Sequence, residues 1–423
     1  MLVGLGILMH TFFVTGYLPA PFVFDVSDTF MDWYNVANYA HNPGAYSVYH
    51  SVYAPLSFVI TKIFGIPACY GSHPKDARDC DPIGIVQILV VYVCCVAVTA
   101  VAFYRHDRST ALPRTIAVGL GGPMLFALER GNLIMHTYIA FVFLFGGILA
   151  SRRGLAVAAA FLVNLKFYMV MPVLGFAVKR QWRTLELCGV ATVALYLITL
   201  FIINAGTPFD IAENLKIWFN LRAGTIWDEV LYSTTYKPYL LFDARLYPIR
   251  DYIPQKTIDL LTISIQVEVF SSRALAFLCI IAGWFYPKVV TVQRMAFFIL
   301  MQSFLDQNPG GYAMSFVTFL VFTERWTNIR VGIAIVTCYL ISLPADYTIT
   351  EFFRYERLSW LSARMVDSAY GLSLGSLVRP GLLVIVLWSL GIDTLVSVHR
   401  EMRRVRPLFG LGVPMLGPAT SPA

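Results

Sequence analysis

The strongest constraint on this chain is a series of apolar runs of membrane-crossing length, punctuated by arginine and lysine. A bilayer core about 30 Å thick takes roughly 20 apolar residues per helix. Runs of that kind lie at about 3–19, 52–67, 83–104, 114–128, 132–150, 155–178, 186–204, 273–287, 293–305, 311–323, 328–344 and 380–398. Of the 423 residues, 57% are hydrophobic and only 13% charged, which lies outside the range of soluble domains. The pattern predicts an all-α, polytopic transmembrane bundle of about 11–13 membrane helices, short or re-entrant ones included. One membrane domain over residues 1–405 is expected, with a disordered tail at 406–423 ending in "PLFGLGVPMLGPATSPA". No heptad array, solenoid repeat or low-complexity tract interrupts it.

The formal charge of +7 does not mark a nucleic-acid surface, because the basic residues cluster at the ends of the apolar runs. Arg152 and Arg153, Lys179, Arg180 and Arg183, Lys288 and Arg294, Arg325 and Arg330, and Arg400 to Arg406 follow the positive-inside rule. Working back from the last cluster, the polar stretches 205–258 and 345–378 fall outside, as does a first outer loop at 20–52. The first run has no basic segment before it and no Ala-x-Ala site, so it reads as a retained helix and not as a signal peptide. Counting crossings forward and backward disagrees over "RHDRSTALPR", so one early segment does not cross fully. The weakest is 52–67, short and carrying Lys62, followed by the segments ending near Pro113 and Glu129. Segment 155–178 has Arg153 and Lys179 at its ends and Lys166 and Pro172 within, which fits two half-helices or a re-entrant hairpin. Cys94, Cys95, Cys188, Cys279 and Cys338 sit in apolar runs as small hydrophobes, whereas Cys69 and Cys80 flank "YGSHPKDARD" and are placed for a loop disulfide in an oxidising compartment.

Ionisable groups at membrane depth are costly unless paired or hydrated, so their positions carry the most information about function. Four groups stand out. The first loop holds Asp25, Asp28, Asp32, His41 and His50 among Trp33, Tyr34, Tyr39, Tyr46, Tyr49 and Tyr53. "LERGN" brings Glu129, Arg130 and Asn132 between two apolar runs, Lys166 interrupts "LVNLKFYMVMP", and "FLDQNPGGY" carries Asp306, Gln307, Asn308 and Tyr312. On a helix, acids at 25, 28 and 32 share one face, and a surface-lying helix would turn such a face to a cavity at the membrane boundary, where a general base is useful. An aromatic interfacial belt with solvated carboxylates explains the same composition. Likewise Glu129 and Arg130 fit an interhelical salt bridge, Lys166 a snorkelling side chain, and "DQNPGGY" a helix-ending turn.

The succession "DxxxDWYxxA…PGAYxxYxxxYAPLSFVI", "FALERGNLIMHTYIAF" and "SRRGLAVAAAFLVNLKFYMVMPVLGFAVKRQWR" resembles the membrane glycosyltransferases of the GT-C superfamily, and most of all glycosyltransferase family 87, the polyprenol-phosphate-mannose-dependent mannosyltransferases. The likeness extends to the enzymes that add the first mannose of glycosylphosphatidylinositol, covers about residues 20–185, and rests on the order of four short motifs. Asp28 and Asp32 share the place of one family acid, Ala54-Pro55 stands for Pro-Pro, and His136 lies near a position that is acidic in the anchor-synthesis enzymes.

The resemblance implies a hexose donor on polyprenyl phosphate, a glycan or glycolipid acceptor on the outer face, and an inverting transfer in which a carboxylate deprotonates the acceptor hydroxyl. It points to Asp28 or Asp32 as that base, Asp28 ahead because it lies further from the tyrosine-rich start of the next helix. It points to Arg130 and Lys166, with His50 third, as cations for the leaving phosphate, and to Asn132, Asn308 and Tyr312 as sugar-positioning groups. It calls for no resident cofactor, leaves a divalent metal open, and implies a multi-pass protein of the plasma membrane with an extracytoplasmic site. Two other classes share this composition. A transporter or flippase of lipid-linked saccharide uses half-helix ends around a solute, although no symmetry between the two halves is visible. A non-catalytic partner in an envelope-polysaccharide assembly would tolerate loss of all three acids.

Overall fold

A computed structural model describes residues 1–20, 22, 26–220, 234–242, 253–305 and 310–409. The chain is mostly helical. In order come α1 (Leu2–Thr15), α2 (Met31–His41), α3 (Pro55–Ile63), α4 (Pro74–Cys80), α5 (Pro82–His106), α6 (Ala111–Gly119), α7 (Gly122–Arg130), α8 (Ile134–Phe145) and α9 (Arg152–Leu165). Short turns at Phe167–Met169, Val170–Val173 and Gly175–Val178 follow, then α10 (Trp182–Ile203), α11 (Pro208–Asn220), α12 (Gln255–Phe285), α13 (Val292–Phe304), α14 (Met314–Phe322) and α15 (Ile329–Ile341). The antiparallel pair β1 (Thr348–Leu358) and β2 (Met365–Ser373) precedes the last helix, α16 (Leu374–Phe409).

Among the described residues, α5, α10, α12 and α16 are long and apolar enough to cross a membrane. The pair α6 and α7, bent by 40°, makes a fifth if counted as one span. Against the 11–13 membrane helices expected, four or five of the described helices are long enough to cross, and five more are shorter apolar helices. At about 1.5 Å per residue the 14 residues of α1 reach roughly 21 Å, less than the bilayer core. Segment 52–67, the weakest expected crossing, has only nine helical residues, Pro55–Ile63.

Long and short helices occupy different places. Every residue of α14 is buried, and α8 is buried along most of its length, with Phe141 packing on Phe316 at 4.9 Å between ring centroids. An apolar helix buried on all sides belongs to a core. By contrast, only 11% of the apolar window of α10 is buried, and Val190, Val193, Leu197 and Phe201 stand exposed on it. So large a bare apolar surface is what a lipid phase covers.

Two breaks follow from local chemistry. Between α6 and α7 the sequence Gly121-Gly122-Pro123 ends one helix and starts the next, and the Gly122 N–H freed by the kink donates to the Ser342 carbonyl at 3.1 Å. At Lys166 the backbone turns extended, with φ −142 and ψ 107, before the short turns around Pro172, so segment 155–178 is broken at Lys166 as its sequence predicts.

Three expectations need correction. Stretch 345–378 is a β-hairpin and not a loop, which qualifies the all-α assignment; β1 reads "TITEFFRYERL", rich in β-branched and aromatic residues. The expected outer loop 205–258 contains helix α11, and α12 starts at Gln255, well before residue 273, because polar residues such as Thr257, Asp259 and Glu268 interrupt the apolar pattern of its first half. The last helix runs through to Phe409, past the expected start of the tail at 406, and residues 410–423 lie outside the described residues.

Arg294 is also more than a helix-end charge. Its guanidinium grips Glu324 with two bonds of 2.8 and 2.7 Å and Asp393 with a third of 2.8 Å, while Asn328 donates to the other Asp393 oxygen at 2.8 Å. These groups tie α13, α15 and α16 together at the end of the bundle opposite the hairpin. With Arg294 12% and Asp393 8% exposed, the cluster is dry enough that removing one partner leaves an uncompensated charge. Arg294→Met is expected to destabilise the protein by about 3–5 kcal/mol, read as thermal unfolding in detergent. Glu351→Ala, which breaks the solvated Glu351–Arg354 pair of the hairpin, should leave the unfolding temperature nearly unchanged. Equal shifts for the two variants would remove the distinction.

Candidate functional site

Two tight turns face each other at the hairpin end of the bundle. Phe30, which caps α2, adopts φ 64, and Gly131, which ends α7, adopts φ 62. The Phe30 N–H donates to the Glu129 carbonyl at 2.8 Å, so the first loop is fastened onto the "LERGN" turn. Gly131 is needed twice over. Its left-handed backbone disfavours a side chain, and a Cβ there would sit 3.0 Å from both the Cα and the carbonyl oxygen of Phe30. Past it, the Asn132 N–H returns to the Ala127 carbonyl at 2.9 Å and closes the helix end.

This closure aims Arg130 at the first loop. Its guanidinium donates to Asp28 Oδ2 at 2.5 Å and to Asp32 Oδ1 at 2.9 Å. Asn132 completes the arrangement by donating Nδ2 to Asp32 Oδ2 at 2.6 Å, while its own Oδ1 accepts the Ile134 N–H at 2.8 Å, which fixes the amide's orientation and caps α8. Asp28 and Asp32 do converge, though not along one helix face: Asp28 lies in the turn before α2, and Asp32 in its first turn. Asp25 lies outside the described residues.

Lys166 sits at the break after α9 with its Nζ 4.3 Å from the centroid of the Tyr53 ring. It interacts electrostatically with Asp32 and makes no hydrogen bond or ion pair among the described residues. Tyr312 stacks on Phe126 at 6.0 Å, approaches the Asn132 side chain, and senses both Asp32 and Arg130. The chain thus brings together Asp28, Asp32, Arg130, Asn132, Lys166 and Tyr312, and Asn308 lies outside the described residues.

Glu129 and Arg130, adjacent in sequence, part company. Glu129 is buried and accepts a 2.6 Å bond from the Tyr17 hydroxyl and a weaker one from Thr29, so the salt bridge between them gives way to separate partners. His50 stands exposed, at φ 47, with no bond to the cluster, and is not placed as a phosphate ligand. His41 stacks on Tyr70 at 4.4 Å, and burial, with Lys62 nearby, holds its imidazole below the ordinary value, so it is neutral near pH 7. His136 stacks on Trp33 at 5.9 Å beside Gln87. One neighbour escaped the sequence reading. Tyr168, two residues past Lys166, senses Tyr312 and has a buried hydroxyl without a hydrogen-bond partner among the described residues. Its place in "NLKFYM", beside a lysine at membrane depth, was the available signal.

Asp28 and Asp32 are the two carboxylates of the cluster, both engaged by Arg130, and no group of three His, Cys, Asp or Glu side chains converges among the described residues. Chemically the site offers two fixed carboxylates, a cation that orients them, a second cation that neither carboxylate holds, and tyrosine hydroxyls around them. Cys69 and Cys80 form a disulfide, as their flanking of "YGSHPKDARD" suggests, with Cα atoms 5.6 Å apart. Comparison with family profiles, curated proteins and solved structures finds no match for the chain.

Gly131 and Gly147 both have left-handed backbones, at φ 62 and φ 68, but nothing lies within 4 Å of a Cβ built on Gly147. Gly147→Ala should therefore cost only the backbone term, about 1–2 kcal/mol. Gly131→Ala should cost visibly more and loosen the Phe30 contact, as measured by unfolding temperature. Equal losses would mean that the close approach of the two turns is not tight.

Proposed function

We propose that this chain is a membrane glycosyltransferase that moves a hexose, mannose-like in the family it resembles, from a polyprenyl-phosphate donor to a glycan or glycolipid, at the extracytoplasmic face of the plasma membrane. The observation that carries the reading is the convergence, at one end of the bundle, of a fixed carboxylate pair with a lysine that neither carboxylate binds. Inverting transfer needs a base for the acceptor hydroxyl and positive charge for the departing phosphate.

Asp32 is the better placed base. Its field reaches Lys166, Tyr53 and Tyr312, and each of its oxygens has about two acceptor sites, so single bonds from Arg130 and Asn132 leave room for a substrate hydroxyl. Asp32 takes the proton as the hydroxyl oxygen attacks the anomeric carbon from the face opposite the lipid phosphate. The bond from that carbon to the phosphate oxygen breaks with its electron pair, and the phosphate gains one negative charge. Lys166 is available to meet it. Arg130, committed to Asp28 and Asp32, orients the carboxylates and is not the phosphate ligand the family resemblance implies. Tyr53, Tyr168 and Tyr312 offer hydroxyls and ring faces to a sugar.

A transporter of lipid-linked saccharide remains the second reading, favoured by the bent pair α6 and α7, whose broken backbone resembles the half-helices around a solute. Reconstituted proteoliposomes separate the two. Asp32→Asn should lower hexose transfer from a polyprenyl-phosphate donor by about 10²–10⁴-fold with expression intact, and Lys166→Ala should raise the donor KM. Full transfer by the Asp28→Asn, Asp32→Asn double variant would overturn the base assignment. Donor movement between leaflets without any transfer in the wild type would establish the transporter.

A further inference from the structure

We propose that Arg78, carried by the disulfide-closed helix α4, is a positioning residue for the Asp28 turn, and that Trp360 at the tip of the hairpin is the cover that keeps it there. The proposal rests on the glycosyl-transfer reading only for its kinetic readout.

Arg78 is a buried cation that forms no ion pair with a buried carboxylate among the described residues. Its Nη1 donates to the Ser27 carbonyl at 2.7 Å and to the Thr29 carbonyl at 3.0 Å, the carbonyls of the residues before and after Asp28. Its acidic contact is Asp79 at 3.3 Å, a side chain 63% exposed. Burying a guanidinium is expensive, and here the guanidinium is committed to two neutral carbonyls. What that arrangement supplies is geometry: one nitrogen forks to two carbonyls, bridging Ser27 and Thr29 across Asp28 and so holding closed the turn that carries it. Lys75, one turn earlier on α4, adds a 2.8 Å bond to the Ser27 hydroxyl.

The fork is held from two sides. Below it, Cys69 and Cys80 close the chain around α4, and Asp81, the next residue, accepts the Tyr70 hydroxyl at 2.6 Å and the Ile66 N–H at 3.3 Å. Above it lies Trp360, whose ring is 5.1 Å from the Arg78 guanidinium carbon and 5.3 Å from the Phe30 ring. The Trp360 indole N–H bonds Asp79 at 3.0 Å, and its backbone N–H bonds the Val26 carbonyl at 3.3 Å. Ser359 and Ser362 pin the same tip to the Gly16 carbonyl. The turn that presents Asp28 to Arg130 is thus enclosed by α4 and the hairpin tip, and Arg78 is where the two meet.

Thr29, the residue after Asp28, is fully buried, so a cysteine at that position reports whether the turn stays closed. The probe is the rate at which a water-soluble maleimide labels Thr29→Cys in the detergent-solubilised full chain, with the exposed Cys94 changed to serine. Arg78→Ala should speed labelling by about tenfold or more, and Arg78→Lys, which keeps the charge but loses the Nε bond to Asp79 and the planar guanidinium over Trp360, should fall between Arg78→Ala and the parent. The Cys69→Ser, Cys80→Ser variant should match Arg78→Ala, and adding Arg78→Ala to it should give no further rise. In transfer assays, Arg78→Ala should lower kcat while the donor KM stays put, with partial rescue by Arg78→Lys. Unchanged labelling in folded Arg78→Ala overturns the proposal; if that variant does not fold, unchanged labelling in Arg78→Lys does so. Additive effects of the disulfide and arginine changes overturn the link between them. Faster labelling with no transfer by any form, wild type included, upholds the clamp and rejects the glycosyltransferase reading.

Discussion

Arg130 bridging Asp28 and Asp32 is the interaction around which the hairpin end of the molecule is organised. Three charged groups, only 16–22% exposed, meet across 102 residues of sequence. Such a cluster is weak evidence for stability, because desolvation offsets most of the attraction and apolar replacements are often as stable. What it does specify is relative position. For the fork to reach both carboxylates, α7 must end in the left-handed Gly131, and α2 must begin at the left-handed Phe30, locked to the Glu129 carbonyl. The first loop must then be held from outside, which α4 and the hairpin tip do through Arg78 and Trp360.

The helices bring polar groups to that place by being broken there. Chain irregularity in a membrane is tolerated where protein or a water-filled cavity covers it. Three such irregularities meet at the cluster: the turn from α7 to α8 at Arg130–Asn132, the extended residue at Lys166, and the short turn Gly311–Ala313 that starts α14 and carries Tyr312. The short helices α8, mostly buried, and α14, wholly buried, run from these turns into the core, while α5, α10 and α12 leave most of their apolar windows bare. Helix length and site location are therefore one fact.

Much of this was legible in sequence because it is local. The apolar runs, the weakness of 52–67, the break at Lys166 and the candidacy of Cys69 and Cys80 for a loop disulfide, whose formation the sequence left open, each depend on residues near one another in the chain. So did the candidate cluster as a list of residues. Its wiring was not legible, since nothing local says that Arg130 turns away from Glu129 toward acids a hundred positions earlier, or that Glu129 is taken by Tyr17. The early start of α12 was hidden by polar residues on an otherwise helical stretch, and the hairpin by charges such as Glu351, Arg354 and Asp367, which read as a solvated loop until the alternation of its strands is seen in pairing. Arg78 was invisible as anything but a loop charge, because its partners are backbone carbonyls, which leave no mark on composition.

The two ion clusters at opposite ends separate architecture from chemistry. At one end Arg294 and Arg330 face Glu324 and Asp393, and Asn328 takes a remaining Asp393 site: two cations, two anions, each held by another member. The short bonds of this network run between α13, α15 and α16 and rigidify the helices they join, although Arg330 Nε, 3.7 Å from Asp393, is buried without a hydrogen-bond partner among the described residues. At the other end the count is the same, with Arg130 and Lys166 against Asp28 and Asp32, but the distribution differs. Arg130 takes both carboxylates, and Lys166 is left against the face of Tyr53, with the Tyr168 hydroxyl unpartnered among the described residues close to Tyr312. A lysine held at depth without an anion bears a desolvation cost that an anionic ligand would relieve. The two ends thus differ in how their cations are spent: Arg294 bonds acids of two other segments and ties helices together, whereas Arg130 gathers both acids of one loop and leaves Lys166 facing an aromatic ring.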